Sequence, residues 1–402
     1  VPAVAANALL RPMMTLIVSL ILPLMALWLW WPVHPLSKRQ RRWHIGITLG
    51  LALLGLSFAM LWRLNVFDYA VEAWIQLLFG WVLVMFVLLL GFLLLREAGW
   101  LLSRLAPREG ALAKLWLGRG LNHGAAVVVV LLATLGIWNG LKPPAVHERE
   151  LVVPNLPAEM DGLRVAVLAD LHISPVKRSW RTERIVAQTL AVKPDLIVLP
   201  GDMVDGEVED TAPFVTALAK LQAPYGVWLA PGNHEYYHGY ARWMARFRQM
   251  GLGVLENQTA KLSINGRTMA LSGVGDLAAL RSSSYMRGGL APDLPAVVAA
   301  ANGSDVHVLL AHQPKQARAA AATGAVDLQI SGHTHGGHIL GFDRWVVAPF
   351  NHGYVRGEYR VQDMTLFVSS GAGQWDGFTA RLGVPSRIEV LVLRRAAEAS
   401  AH

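Results

Sequence analysis

The second half of this 402-residue chain carries five short motifs in a fixed order: Asp170-Leu-His172, Gly201-Asp202-Met-Val-Asp205, Gly232-Asn233-His234-Glu235, Ala311-His312 and Gly332-His333-Thr334-His335. Carboxylate oxygen, amide oxygen and imidazole nitrogen are the hard-to-borderline ligands that hold ions such as Mn, Fe or Zn. A lone histidine in a turn is more often structural than a ligand. The ordered set Asp170, His172, Asp202, Asn233, His312, His333 and His335 is instead the ligand inventory of two neighbouring divalent ions. Two such ions form the usual clamp for phosphoryl displacement, so the motifs point to phosphoester hydrolysis. The same donor chemistry accepts Mn, Fe or Zn and leaves the metal's identity open. His238, His307, His338 and His352 lie near the motifs and are read as ordinary polar residues, as are Asp276 and Asp343 in their loops. With no cysteine in the chain, disulfides and thiolate zinc sites are excluded.

These ligands need rigid elements to aim them. Short apolar runs at Arg164 to Ala169, Asp195 to Leu199, Val227 to Ala230, Val306 to Leu310, Asp327 to Ile330, Thr365 to Val368 and Ile388 to Leu393 read as buried strands. Helical periodicity lies between several of them, at Thr182 to Val192, Ala212 to Leu221 and Tyr240 to Met250. That alternation predicts an α/β layered fold. Each motif falls just past the C-terminal end of a predicted strand, where α/β sheets place their sites. Trp243 and Phe247 stand one helical turn apart, which favours core packing; an exposed face there would make a lipid-contacting rim. The stretch from Ala279 to Pro295 has no clear period and reads as a surface excursion, with a lid as the alternative.

The motif order resembles that of the calcineurin-like metallophosphoesterase superfamily from Leu163 to roughly Leu393. More narrowly, the segments Asp161 to His172, Ser331 to Gly337 and Leu366 to Gly373 look like its membrane-associated YkuE-type branch. The N-terminal half is similar to transmembrane proteins with a metallophosphoesterase domain. The resemblance implies a layered β-sandwich flanked by helices. It implies that Asp170, His172 and His335 bind one metal, that Asn233, His312 and His333 bind the other, and that Asp202 bridges both. It also assigns His234 as the non-ligand histidine that contacts phosphate or protonates the leaving group, with Asp205 orienting it. Attack on phosphorus would come from a metal-activated hydroxide.

A hydrophobic fraction of 53% is too high for an ordinary soluble domain of this length, and the excess sits in the first 142 residues. Four apolar runs there, about Met13 to Trp31, Ile45 to Leu61, Trp74 to Leu95 and Gly124 to Leu141, match a hydrocarbon core of roughly 30 Å. They predict an α-helical transmembrane bundle of four spans. Trp28, Trp30, Trp31, Trp43, Trp62, Trp74 and Trp138 cluster at the span ends, as headgroup-level anchors do. The spans hold almost no ionisable side chain, which argues against a transporter. The first lacks a basic leader and reads as a retained helix.

Lys38, Arg39, Arg41 and Arg42 in the first loop, and Arg96, Arg104, Arg108, Lys114 and Arg119 in the third, mark both as cytoplasmic. The second half is then expected on the periplasmic or outer side of a bacterial inner or plasma membrane. The formal charge of +8 is explained largely by these loops, and no nucleic-acid motif accompanies it.

The expected organisation is a transmembrane domain over 1–141, a Pro-rich linker over 142–160, a catalytic α/β domain over 161–396 and a tail over 397–402. The expected activity is hydrolysis of a phosphoester of a phospholipid or lipid-linked phosphate, with the bilayer itself as the other partner and no protein partner evident. Tethered hydrolysis of soluble phosphoesters is the alternative, and a non-catalytic scaffold or sensor the weakest reading.

Overall fold

In a computed structural model of the chain, residues 21, 23–63, 69–105, 109–280 and 289–396 are described. The chain divides into two compact units, Val1–Trp138 with Gly377–Ala380, and Asn139–Asp376 with Arg381–His402.

The first unit contains the helices Lys38–Arg63, Tyr69–Ser103, Glu109–Trp116 and Arg119–Leu141, and residues 23–30 are helical as well. Among the described residues, two stretches are long and apolar enough to cross a bilayer, Trp74–Ser103 and Arg119–Leu141. The expected second span lies within Lys38–Arg63, and most of the first falls outside the described residues. The third expected span does not stop at Leu95: its helix continues through Ser103 and carries Arg96, read from sequence as a loop residue, into a buried position. The guanidinium tolerates burial because its donors are used. They reach the carbonyls of Trp28 (2.8 Å) and Leu29 (2.9 Å), Asn122 Oδ1 (3.0 Å) and Glu97 Oε1 (2.6 Å).

The second unit is built on two six-stranded mixed sheets. One contains β1 (Ala145–Val153), β2 (Arg164–Val167), β3 (Leu196–Pro200), β4 (Val227–Ala230), β5 (Gly253–Val254) and, between β1 and β2, β12 (Arg387–Arg395). The other runs in the order β10 (Gly357–Val361), β11 (Met364–Val368), β9 (Leu328–Ser331), β8 (Val306–Leu310), β7 (Arg267–Gly273), β6 (Gln258–Ile264). Strands β2 to β5 are parallel, as are β7, β8, β9 and β11.

Period-two alternation explains why the central strands read as unbroken apolar runs. Along β3, Leu196 and Val198 face the other sheet and join Leu271, Val308, Leu328 and Phe367 in the interior of the sandwich. Ile197 and Leu199 face outward and pack with Ile185 and Val186 of the helix Arg178–Ala191 and with Trp243 and Phe247 of the helix Tyr240–Gln249. Trp243 and Phe247 are fully buried, so the lipid-rim alternative for that helix is wrong.

Two further expectations need correction. Residues 142–160 are not simply a connection, because β1 lies there and pairs in parallel with β12 over its whole length. Its mixed sequence, with His147, Glu148, Arg149 and Glu150, carries the weak apolar pattern of an edge strand. The helix expected over Ala212 to Leu221 breaks into Val208–Val215 and a tight turn Thr216–Lys220, with Pro213 inside the first piece. Of the stretch from Ala279 to Pro295, residues 281–288 lie outside the described set.

Candidate metal centre

All seven expected ligands converge at the C-terminal ends of parallel strands: Asp170 and His172 after β2, Asp202 after β3, Asn233 after β4, His312 after β8, His333 and His335 after β9. Aiming five strand ends at one crevice bends the backbone. Asp170, His172, Asp202, His333 and His335 all have positive φ, between 45° and 75°, a region that non-glycine residues occupy at a cost. Glycine lets the motifs approach one another. A Cβ on Gly232 would lie 2.3 Å from the Asp202 carboxylate, and one on Gly332 would lie 2.8 Å from that of Asp170.

The side chains form three clusters, in each of which the donor atoms lie within 4.8 Å of one another: Asp170, His172 and His335; Asp202, His312 and His333; and His172, Asp205 and His234, which shares His172 with the first. Asp202 Oδ2 lies 3.1 Å from His312 Nε2 and 3.7 Å from His172 Nε2, which puts this carboxylate between the first two clusters. The neighbours of these groups select the lone pairs that face inward. His312 Nδ1 donates to the Pro200 carbonyl at 2.8 Å, and His172 Nδ1 donates to Asp205 Oδ1 at 2.9 Å. Both Nε2 lone pairs are thereby left for the centre. His172 Nε2 faces His335 Nε2 at 3.1 Å.

Two buried atoms of the set, Asp170 Oδ2 and Asn233 Oδ1, have no hydrogen-bond partner, and His312 Nε2 faces the Asp202 carboxylate at 3.1 Å. Buried polar atoms are normally satisfied, and these are the atoms that cations would satisfy. The residues therefore fit a metal pair, and Asn233, which follows β4, offers a buried amide oxygen to it.

Electrostatics divides the histidines. Burial holds His172 below its ordinary value, and His333 and His335 well below it, in the neutral form that ligates metals. Burial opposes protonation of His234 too, but the Asp202 and Asp205 carboxylates outweigh it and lift His234 to about 9. In the same way Asp202, then Asp170, raise buried His312 to about 10, a proton that a cation in the same place would replace. Burial pushes Asp170 up to about 7, and a cation beside it would restore the carboxylate.

Asp205 does more than orient one histidine. Its Oδ1 accepts from both His234 Nδ1 (2.6 Å) and His172 Nδ1 (2.9 Å), so a single carboxylate aligns a ligand and the non-ligand histidine together. Three residues around the centre escaped the sequence reading of roles. Glu235 Oε2 accepts the amides of Gly232 (2.7 Å) and Asp202 (3.1 Å), and its Oε1 accepts that of Met203 (2.7 Å), tying two motif loops together. Lys177 Nζ donates to the His172 carbonyl and to Asp376 Oδ1, both at 2.7 Å. Arg381 donates to the His335 carbonyl at 2.7 Å. Glu235 sits inside a motif and was legible as a candidate; Lys177 and Arg381 lie in segments without a pattern. His307 is bonded to Ser272 and Ala325, whereas buried Asp276, bonded to Ala278 and to Gln313 next to His312, lies close enough to help raise His312 without being among the expected ligands.

A two-sheet sandwich with Asp, Asn and His ligands at its strand ends defines a metallophosphoesterase, and the chain belongs to the calcineurin-like phosphoesterase family. That family's model matches residues 163–337. Over 370 residues the chain is 31% identical to a transmembrane protein with metallophosphoesterase domain from Danio rerio, covering 90% of this chain and 82% of that one. It is 34% identical over 270 residues to an uncharacterized metallophosphoesterase of Campylobacter jejuni (67% and 68% covered), and 27% identical over 241 residues to the metallophosphoesterase YkuE of Bacillus subtilis (58% and 80%). The protein is a metal-dependent phosphoester hydrolase. The two bilayer-length helices among the described residues, together with relatives named as transmembrane proteins, point to membrane association.

Proposed function

We propose that the chain is an integral membrane protein with four spans, whose catalytic unit stands on the periplasmic or outer side and hydrolyses a phosphoester of a lipid headgroup. The observation that carries this reading is the union, in one chain, of a phosphoesterase-type centre with helices long enough to cross a bilayer. Tethering confines the enzyme to the surface where lipid phosphates are concentrated, which raises their effective concentration. The orientation rests on the basic residues Lys38, Arg39, Arg41 and Arg42, which open the helix Lys38–Arg63, and on Arg104, Arg108, Lys114 and Arg119.

Asp170, His172 and His335 would hold one ion, Asn233, His312 and His333 the other, with Asp202 shared between them. Ions bound there would supply Lewis-acid polarisation of the phosphoryl group and a water acidic enough to react at neutral pH. His234 is the acid. Asp205 fixes its Nδ1–H, its Nε2 lies 4.0 Å from Asp202 Oδ2, and its side chain is 12% exposed where His172 and Asp205 are shut off from solvent. A protonated His234 at this position can neutralise a phosphate oxygen and deliver its proton to the departing alkoxide.

The test is mass spectrometry of membrane lipids incubated with the Mn-loaded protein and with His234→Asn. A phosphate-bearing lipid consumed by wild type alone supports the proposal. Unchanged lipids alongside clear hydrolysis of an aryl phosphate would replace it with tethered hydrolysis of soluble phosphoesters.

A further inference from the structure

Directly after the last metal motif, the chain forms a surface strap through two short helical turns, Asp343–Val347 and Ala348–Asn351. Its large side chains point into solvent: Leu340 is 67% exposed, Trp345 76%, Val346 45% and Phe350 75%. Scattered apolar residues on a surface need no explanation, but four within eleven positions, two of them aromatic, form a patch.

The strap is ordered and fastened to the metal motif. Asp343 Oδ1 accepts the Gly341 amide at 2.9 Å, and Asp343 Oδ2 accepts from Arg356 Nη2 at 2.8 Å. Arg356 Nη1 donates to the carbonyl of Gly336, next to His335, at 3.1 Å. The backbone of Asp343 packs so closely on Gly337 that a Cβ there would lie 2.4 Å from its Cα. The other side of the strap's base is held by Leu340 N donating to the Leu382 carbonyl at 2.9 Å.

We propose that the strap from Leu340 to Phe350 is an interfacial membrane anchor that docks the catalytic unit on the bilayer beside its metal centre. The chemistry of the patch selects a lipid surface. Tryptophan and phenylalanine beside an exposed arginine are the side chains of the headgroup region: rings settle at the interface while the guanidinium reaches phosphate. Arg344 already lies over the Trp345 ring, its guanidinium carbon 5.4 Å from the centroid, and no carboxylate neutralises it in the strap, where Asp343 is taken by Arg356. A chain with bilayer-length helices keeps such a surface within reach. The inference rests on the membrane-associated reading of the protein and adds the surface through which the site meets its substrate.

Because the chain has no cysteine, a single introduced thiol reports cleanly. The full chain carrying Val346→Cys, which keeps both aromatic anchors, is labelled with an environment-sensitive dye and placed in nanodiscs of phosphatidylethanolamine and phosphatidylglycerol with a nitroxide-bearing lipid. A Lys220→Cys chain serves as reference. The proposal predicts strong lipid quenching at position 346 and its fall to the reference level when Trp345→Ser and Phe350→Ser are added, with hydrolysis of a soluble aryl phosphate unchanged. Quenching no greater than at Lys220, or quenching indifferent to the two serines, overturns the anchor. If wild type hydrolyses no phosphoester, the functional reading fails while the quenching still decides the docking.

Discussion

Asp205 is the residue on which the two chemistries of the site meet, since its Oδ1 holds both His172 and His234. Asp205→Asn should therefore lower metal affinity by roughly 10–100-fold, as loss of a histidine's supporting carboxylate does, and slow turnover as well. Titration of bound metal beside single-turnover kinetics separates the two effects; a change in turnover alone would limit Asp205 to orienting His234. For His234→Asn the expectation is different. Metal content stays at the wild-type level while kcat falls about 10² to 10⁴, the loss typical of a general acid or charge stabiliser. If that variant lost metal, His234 would have to be counted among the ligands.

At the scale of the elements, the site is precise because its loops leave two sheets, each packed on both faces. Trp243 anchors the outer layer, fully buried, with its Nε1 donating to the Gly206 carbonyl at 3.0 Å. Trp243→Ala should cost about 3–5 kcal/mol of stability. Chemical denaturation of the full chain in detergent measures it, and a loss under ~1 kcal/mol would contradict the packing account. The central strands β2, β3, β4, β8, β9, β11 and β12 were legible because burial on both faces demands apolar runs. The strands β1, β6, β7 and β10 were not, since each mixes polar residues with apolar ones at or near a sheet edge, and β5 is only two residues long. The ligand set was legible for a separate reason: metal donors come in few residue types and sit at strand ends. Lys177 joins the His172 carbonyl to the distant Asp376, and Arg381 holds the His335 carbonyl from 46 positions away; local sequence carries no trace of the two distant pairings.

At the scale of the whole molecule, the proposed sidedness makes a prediction of its own. A thiol introduced at Lys220 should react with a membrane-impermeant maleimide in intact spheroplasts, whereas one at Arg39 should react only after permeabilisation; the reverse pattern would turn the protein over. The central claim, that the converged Asp, Asn and His side chains are a working metal centre, is tested most directly by measuring bound metal and aryl phosphate hydrolysis together on wild type and Asp202→Asn. The account predicts about two divalent ions per wild-type chain, and loss of both occupancy and turnover when the shared carboxylate is removed. Full occupancy with wild-type turnover in Asp202→Asn would contradict it.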